Sequence, residues 1–147
     1  MSDRTFCYQL FEEMRSTDRL IKDVVTSICQ KHGLSTFASF VLGDLRREEG
    51  QTFKELAARC SIKPSNFTPL FNFLKKKGYV ERRQDEKDRR TFRLYLTDEG
   101  KELADVINEE FVVAFGGNVK NASVLQKQVF EGFSAIRSLI DQSSPYK

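Results

Sequence analysis

The sequence predicts a mainly α fold that carries one small β-hairpin. Three observations lead there. Apolar residues recur every three or four positions through most of the chain, which is the pattern of helices with one covered face. Between 91 and 96, Phe92, Leu94 and Leu96 alternate with Arg93 and Tyr95, the period-two pattern of a strand with one buried side. A second short run, 79–82, precedes it, and the eight polar residues 83–90 between the two are too charged for a core, so they form a long hairpin tip.

The elements follow in order. Phe6, Leu10, Met14, Thr17, Ile21, Val24 and Ile28 mark a long amphipathic helix that ends near His32, with Gly33 as a left-handed cap. About 27 residues is long for a small domain, so its apolar stripe belongs either to a core helix of a single bundle or to an arm that a second subunit covers. Leu34-Ser35-Thr36 opens a second helix with Phe37, Val41 and Leu45 inward and Gly50 as its stop. Thr52-Phe53-Lys54-Glu55 is a capping box, in which hydroxyl and carboxylate satisfy free N–H groups reciprocally. It starts a short helix with Leu56, Ala57 and Cys60 in the core. Ser61-Ile62-Lys63 is a turn, and Pro64 suits the first position of the next helix. There Phe67, Leu70, Phe71 and Leu74 form the buried face at i, i+3, i+4 and i+7, while Ser65, Asn66, Thr68, Asn72, Phe73 and Lys76 lie opposite. Pro69 falls within the first two turns, where a tightened or bent start lessens its usual cost of about 3 kcal/mol. Thr97 caps a further helix with the stripe Leu103, Val106, Ile107, Phe111 and Ala114, broken at Gly116-Gly117-Asn118. A last helix, about 123–142, carries Leu125, Val129, Phe133, Ile136 and Ile140 and ends at Ser143-Ser144-Pro145.

Charge is unevenly placed. Residues 75–93 hold nine Lys and Arg against four Asp and Glu, a local excess of five in a chain whose net charge is +3. A basic hairpin beside a two-helix unit with a polar second helix is an electrostatic and geometric footprint for a polyanion.

Asp88-x-Arg90, then Leu96-Thr97-x-x-Gly100, with Leu74-Lys-Lys-Lys-Gly-Tyr-Val-Glu-Arg upstream, resembles the wing signature of the MarR family. The resemblance runs from about Leu34 to Leu103, and the order of helices extends it over the chain. It implies a winged helix-turn-helix at 34–103, with dimerisation helices at 1–33 and 104–147. It implies a homodimer on double-stranded DNA, and a pseudo-palindromic operator whose half-sites lie about one helical turn apart. The candidate DNA-binding residues are Lys63, Ser65, Asn66, Thr68, Asn72 and Lys76 around the recognition helix, and Arg83, Lys87, Arg89 and Arg90 in the wing. Asn66 suits adenine, and Ser65 and Thr68 suit bases or phosphates. Arg89 or Arg90 is expected in the minor groove, with Asp88 orienting an arginine.

The resemblance also implies control, often repression, relieved by a small aromatic ligand held between dimer arms and winged helix. No residue here identifies that ligand. Thr68-Pro69-Leu70 and the surroundings of Cys7 resemble the branch of organic-hydroperoxide and oxidative-stress sensors, which makes Cys7 a possible redox residue. Against this, the sensor column falls on Phe11, one turn away, and the columns of its two tyrosine partners fall near Val25 and Thr36. The expectation is therefore that Cys7 is not a peroxide switch. A protein-interaction winged helix without DNA binding is the alternative of another class, kept open by Phe73 on the exposed face.

Other chemistries find little support. One His, no Gly-rich phosphate loop and no His-Glu-x-x-His motif argue against an enzyme, and no cofactor is expected. Cys29-x-x-His32 is half of a metal site without a second half, so no metal is expected. No run of 18 apolar residues or signal-like N-terminus is present, and three unframed cysteines fit reduced thiols, so a cytoplasmic chain off the membrane is expected.

Overall fold

The computed structural model describes residues 2–143. The elements are α1 (Asp3–Lys31), α2 (Thr36–Arg47), β1 (Gln51–Thr52), α3 (Phe53–Arg59), α4 (Pro64–Lys76), β2 (Val80–Gln84), β3 (Phe92–Leu96), α5 (Asp98–Ala114) and α6 (Ala122–Ser143). The chain divides into two compact units, Met1–Phe111 and Val112–Lys147.

In the first unit the core is built by α2, α3, α4 and the sheet. Leu42, Leu45, Leu56, Phe67, Leu74 and Leu94 are fully enclosed, and Phe53 meets Phe67 edge to face at 4.5 Å. The sheet is antiparallel in the order β1-β3-β2, with Gln51 opposite Leu94 and Val80 opposite Leu96. The two-residue β1 was not legible in the sequence, because two residues carry no period. The capping box forms as expected: Glu55 N donates to Thr52 Oγ1 at 3.3 Å and Thr52 N to Glu55 Oε2 at 2.7 Å.

Several inward assignments are corrected. In α2 the buried face is Ala38, Val41, Leu42 and Leu45, and Phe37 is exposed; the spacing i, i+3, i+4, i+7 begins at Ala38, one residue later. Glu48, not Gly50, caps α2, and Gly50 instead offers its carbonyl to Arg93. Phe92 is exposed where the strand leaves the core, so the buried face of β3 is Leu94 and Leu96 alone. Val106 of α5 is exposed, and Ala104 is buried with Ile107. Cys60 is half-buried beside the core rather than within it, and that burial pushes its thiol up to about 11.

The 29 residues of α1 make a rod about 43 Å long at 1.5 Å per residue. Only its C-terminal end is covered, through Val25 and Cys29, while Phe6, Phe11, Met14, Leu20 and Ile21 are exposed. His32 caps it, followed by Gly33 at φ +68°. The second unit contains α6, whose Leu125, Val129, Phe133 and Ile140 are exposed; no described residue from 112 to 142 is buried. The expected stop at Ser144-Pro145 lies outside the described residues. Among the described residues, no helix is long and apolar enough to cross a membrane.

Candidate nucleic-acid interface

The turn between α3 and α4 is tight. Ile62 N donates to Ala57 O at 2.9 Å, and Ser61 takes φ +54° to allow it. Phe67, Phe71 and Leu74 anchor α4 to the core. That anchoring leaves Ser65, Asn66, Thr68, Asn72 and Lys76 on its outer face, all exposed, with Lys63 exposed at the N-cap. Pro69 is accommodated inside α4. The first turn is tightened by Asn66 N donating to Lys63 O at 2.9 Å, and Thr68 Oγ1 donates to Pro64 O at 3.3 Å. Phe73 is half-buried and packs beside the core with Lys77 Nζ at 5.8 Å from its ring, so it does not face outward as an anchor.

The wing begins with a chain reversal at Gly78, which takes φ +79° so that Tyr79 N can reach Leu74 O at 3.0 Å. Its tip is held by two aspartates. Asp85 Oδ1 accepts from the amides of Lys87 and Asp88 at 2.7 and 3.0 Å. Asp88 accepts from Arg90 N at 3.0 Å and from Thr91 Oγ1 at 2.9 Å. Asp88 thus orders the backbone of the tip and pairs with no arginine side chain. The arginine-binding carboxylate is that of Asp85, which takes Arg93 Nε while Arg93 Nη1 donates to Gly50 O at 2.8 Å. The Arg93 bond, reinforced by the two amides, holds the Asp85 carboxyl at about 2. Lys87, Arg89 and Arg90 project from this ordered tip, exposed and, among the described residues, without an acidic partner.

Strand alternation then sorts two neighbouring arginines onto opposite faces. Arg83 lies on the face of Glu81 and Tyr95: its Nε donates to Glu81 Oε1 at 2.8 Å and its guanidinium stacks 4.5 Å from the Tyr95 ring. Its charge is therefore already paired. Arg82 faces the other way, 4.8 Å from the ring of Phe92, into a cleft of about 540 Å³ between α4 and the hairpin. Lys54, Thr68, Asn72 and Lys75 line the same cleft. Sequence reasoning counted Lys75 and Arg82 in the charge excess but did not place them, or Lys54, in the site. The alternation of β2 was the signal that separates Arg82 from Arg83.

The Cys29-x-x-His32 pair does not converge on one point. Cys29 is buried, and His32 Nε2 lies 2.9 Å from Glu110 Oε1, which Lys31 Nζ also reaches at 3.0 Å. Lys31, and then His32, hold the Glu110 carboxyl below the usual carboxylate range. Among the described residues no group of three or more His, Cys, Asp or Glu is placed to hold a metal ion. Cys7 is exposed on α1.

A two-helix unit with a tight turn, joined to a three-stranded antiparallel sheet whose last two strands form a charged hairpin, is a winged helix-turn-helix. The model of the MarR family matches residues 38–92, from α2 to the start of β3. The transcriptional repressor MdtR of Bacillus subtilis is 32% identical over 101 residues, 59% of this chain; the chain spans 65% of that relative's length. The transcriptional regulator SarZ of Staphylococcus aureus is 25% identical over 131 residues, 89% of this chain and 85% of SarZ. The fold is shared with a MarR family transcription regulator, SP03579, at TM-score 0.79 and 20% identity, covering 97% of this chain and 96% of that one. It is also shared with reduced AbfR bound to DNA, at TM-score 0.71 and 20% identity, covering 93% and 96%.

Proposed function

We propose that the chain is a transcription regulator, a repressor, that binds a pseudo-palindromic duplex site as a homodimer. One observation carries the reading. The exposed polar face of α4 stands with Lys87, Arg89 and Arg90 of the wing, which are exposed and without a carboxylate partner among the described residues, while Arg46, Arg47, Arg59, Arg83 and Arg93 of the same unit are paired with carboxylates. Cations left without carboxylates are the ones available to phosphates, while the α4 face matches a major groove and wing arginines suit the negative potential of a minor groove.

Homodimerisation is supported by the uncovered apolar stripe of α1 and by a second unit that buries none of its described residues. Stripes of that extent on an isolated chain mark an interface. Control by a small ligand belongs to the same reading: such a ligand must bind a DNA-incompetent dimer more tightly, because equal affinity for both states shifts nothing.

The test is binding to duplex DNA at increasing salt, together with sedimentation at low micromolar protein. A dimer that binds random duplex, with affinity falling steeply as salt rises, is the expected result. Replacing Arg89 and Arg90 by Ala should lower the log–log slope by about one per lost phosphate contact. Asn66→Ala should relax discrimination at one base pair by about 1–3 kcal/mol. A protein that leaves DNA unbound at low salt would overturn the regulator reading and favour the protein-interaction alternative. A stable monomer would overturn the homodimer.

A further inference from the structure

A cleft separates α4 from the hairpin. It sits between the two elements assigned to different grooves of DNA. Three cations from three separate elements line it: Lys54 at the start of α3, Lys75 near the end of α4, and Arg82 on β2. None of the three has a carboxylate partner among the described residues. The contrast with their neighbours is sharp. Arg59 of α3 is paired with Asp44 and Glu48, Arg83 of β2 with Glu81, and Arg93 of β3 with Asp85. Carboxylates thus neutralise Arg59, Arg83 and Arg93 and leave Lys54, Lys75 and Arg82 without an acidic partner among the described residues.

The cleft is also shaped and prearranged. Its hydrogen-bonding groups include Thr68 and Asn72, which stand on the outer face of α4. The Arg82 guanidinium is set over the Phe92 ring at 4.8 Å. That stacking restricts a long side chain while leaving its N–H fork unused. It also accounts for Phe92, an exposed aromatic that the core does not use.

The geometry points to this cleft as the seat of one sugar-phosphate strand, with Lys54, Lys75 and Arg82 holding consecutive phosphates as the strand passes from the major groove at α4 to the minor groove at the wing. The inference rests on the DNA-binding reading and deepens it. A strand lying between two adjacent grooves must cross the space between the elements that enter them, and here that space is a cationic trough of about 540 Å³. Contacts of this kind fix register without reading sequence.

The experiment measures binding of a labelled random-sequence duplex of about three helical turns to the full chain between about 50 and 200 mM salt. Lys54→Ala, Lys75→Ala and Arg82→Ala should each lower the log–log slope by about 0.9. Arg82→Lys should keep the slope, because it keeps the charge, and Lys22→Ala on α1 should not change it. Circular dichroism melting establishes that each variant is folded; Arg82→Gln, which keeps most of the stem and removes the charge, tests the position should Arg82→Ala fail to fold. On a single duplex selected from that pool for tight binding, ethylation interference should mark phosphates between the major- and minor-groove contacts, with one of them lost in Arg82→Ala. If the parent does not bind DNA, the regulator reading fails. If the parent binds steeply and the three Ala variants keep its slope, the cleft assignment alone is wrong.

Discussion

Gly100 tests the packing of the wing against α5. It is buried in the first turn of the helix, and a Cβ built on it would lie 2.0 Å from Tyr79 O and 2.9 Å from Tyr79 C. Both are backbone atoms and cannot swing aside. Reaching an ordinary carbon–oxygen contact of about 3.3 Å requires the start of α5 to move by roughly 1.3 Å. That start is tied to the same chain reversal, through Thr97 N to Tyr79 O at 3.1 Å and Thr97 Oγ1 to Gly78 O at 2.5 Å. Gly100→Ala therefore costs about 1–3 kcal/mol of overpacking and about 1 kcal/mol for each of two loosened bonds. Helix propensity returns about 1 kcal/mol. The net is a loss of about 2–4 kcal/mol, or roughly 5–15 °C in Tm at 2–4 °C per kcal/mol. Gly43 is the control. It lies in the middle of α2, exposed, with nothing within 4 Å of its Cβ position, so Gly43→Ala should stabilise by about 0.5–1 kcal/mol. The assay is thermal and urea unfolding at one fixed protein concentration, because any self-association makes Tm concentration-dependent. If the two variants shift the same way, or Gly100→Ala melts with the parent, the close approach is not what requires the glycine.

Thr52→Ala removes one half of the capping box and should cost about 1 kcal/mol, with Thr52→Ser recovering most of it, read from urea midpoints. The Asp85 carboxyl is depressed to about 2 from an ordinary 3.8, so its stabilisation is present above about pH 4 and is lost as pH falls through 2. Asp85→Asn should flatten that acid limb and speed hydrogen exchange at the Lys87 and Asp88 amides, which it accepts from; unchanged exchange would remove Asp85 as the organiser of the tip. Stoichiometric organic hydroperoxide should leave DNA affinity unchanged in the parent and in Cys7→Ser, and release of the parent alone would make Cys7 the sensor after all.

Most of the fold was legible because helix period and end chemistry agree. The capping box at Thr52, Pro64 at the head of α4 and Gly33 after α1 each mark a boundary by a local mechanism, and each boundary falls there. What failed were choices of face where two apolar residues adjoin. Phe37 and Ala38 both fit a helical stripe, and size favoured the wrong one; the smaller residue is buried because α2 lies close against its neighbours. Phe92 fits the period of β3, but period does not say where a strand runs out from under the core.

The site shows a different limit. The local charge excess of 75–93 points to the hairpin, but a sum of charges treats every arginine there as equal. The structure divides them. Arg93 is bound by Asp85 and Gly50 O, and Arg83 by Glu81 and Tyr95, so both serve the wing itself. Arg82, one residue from Arg83, is free to face the α4 cleft. The same sorting applies to the acids: Asp85 and Asp88 are three residues apart, yet one holds a guanidinium and the other only backbone and a hydroxyl. A charge in such a segment is available to a partner only after its nearest intramolecular claimant is known. On a strand that claimant is set by which of two faces the residue takes, so a one-residue difference in position decides whether an arginine shapes the wing or is left open to a partner.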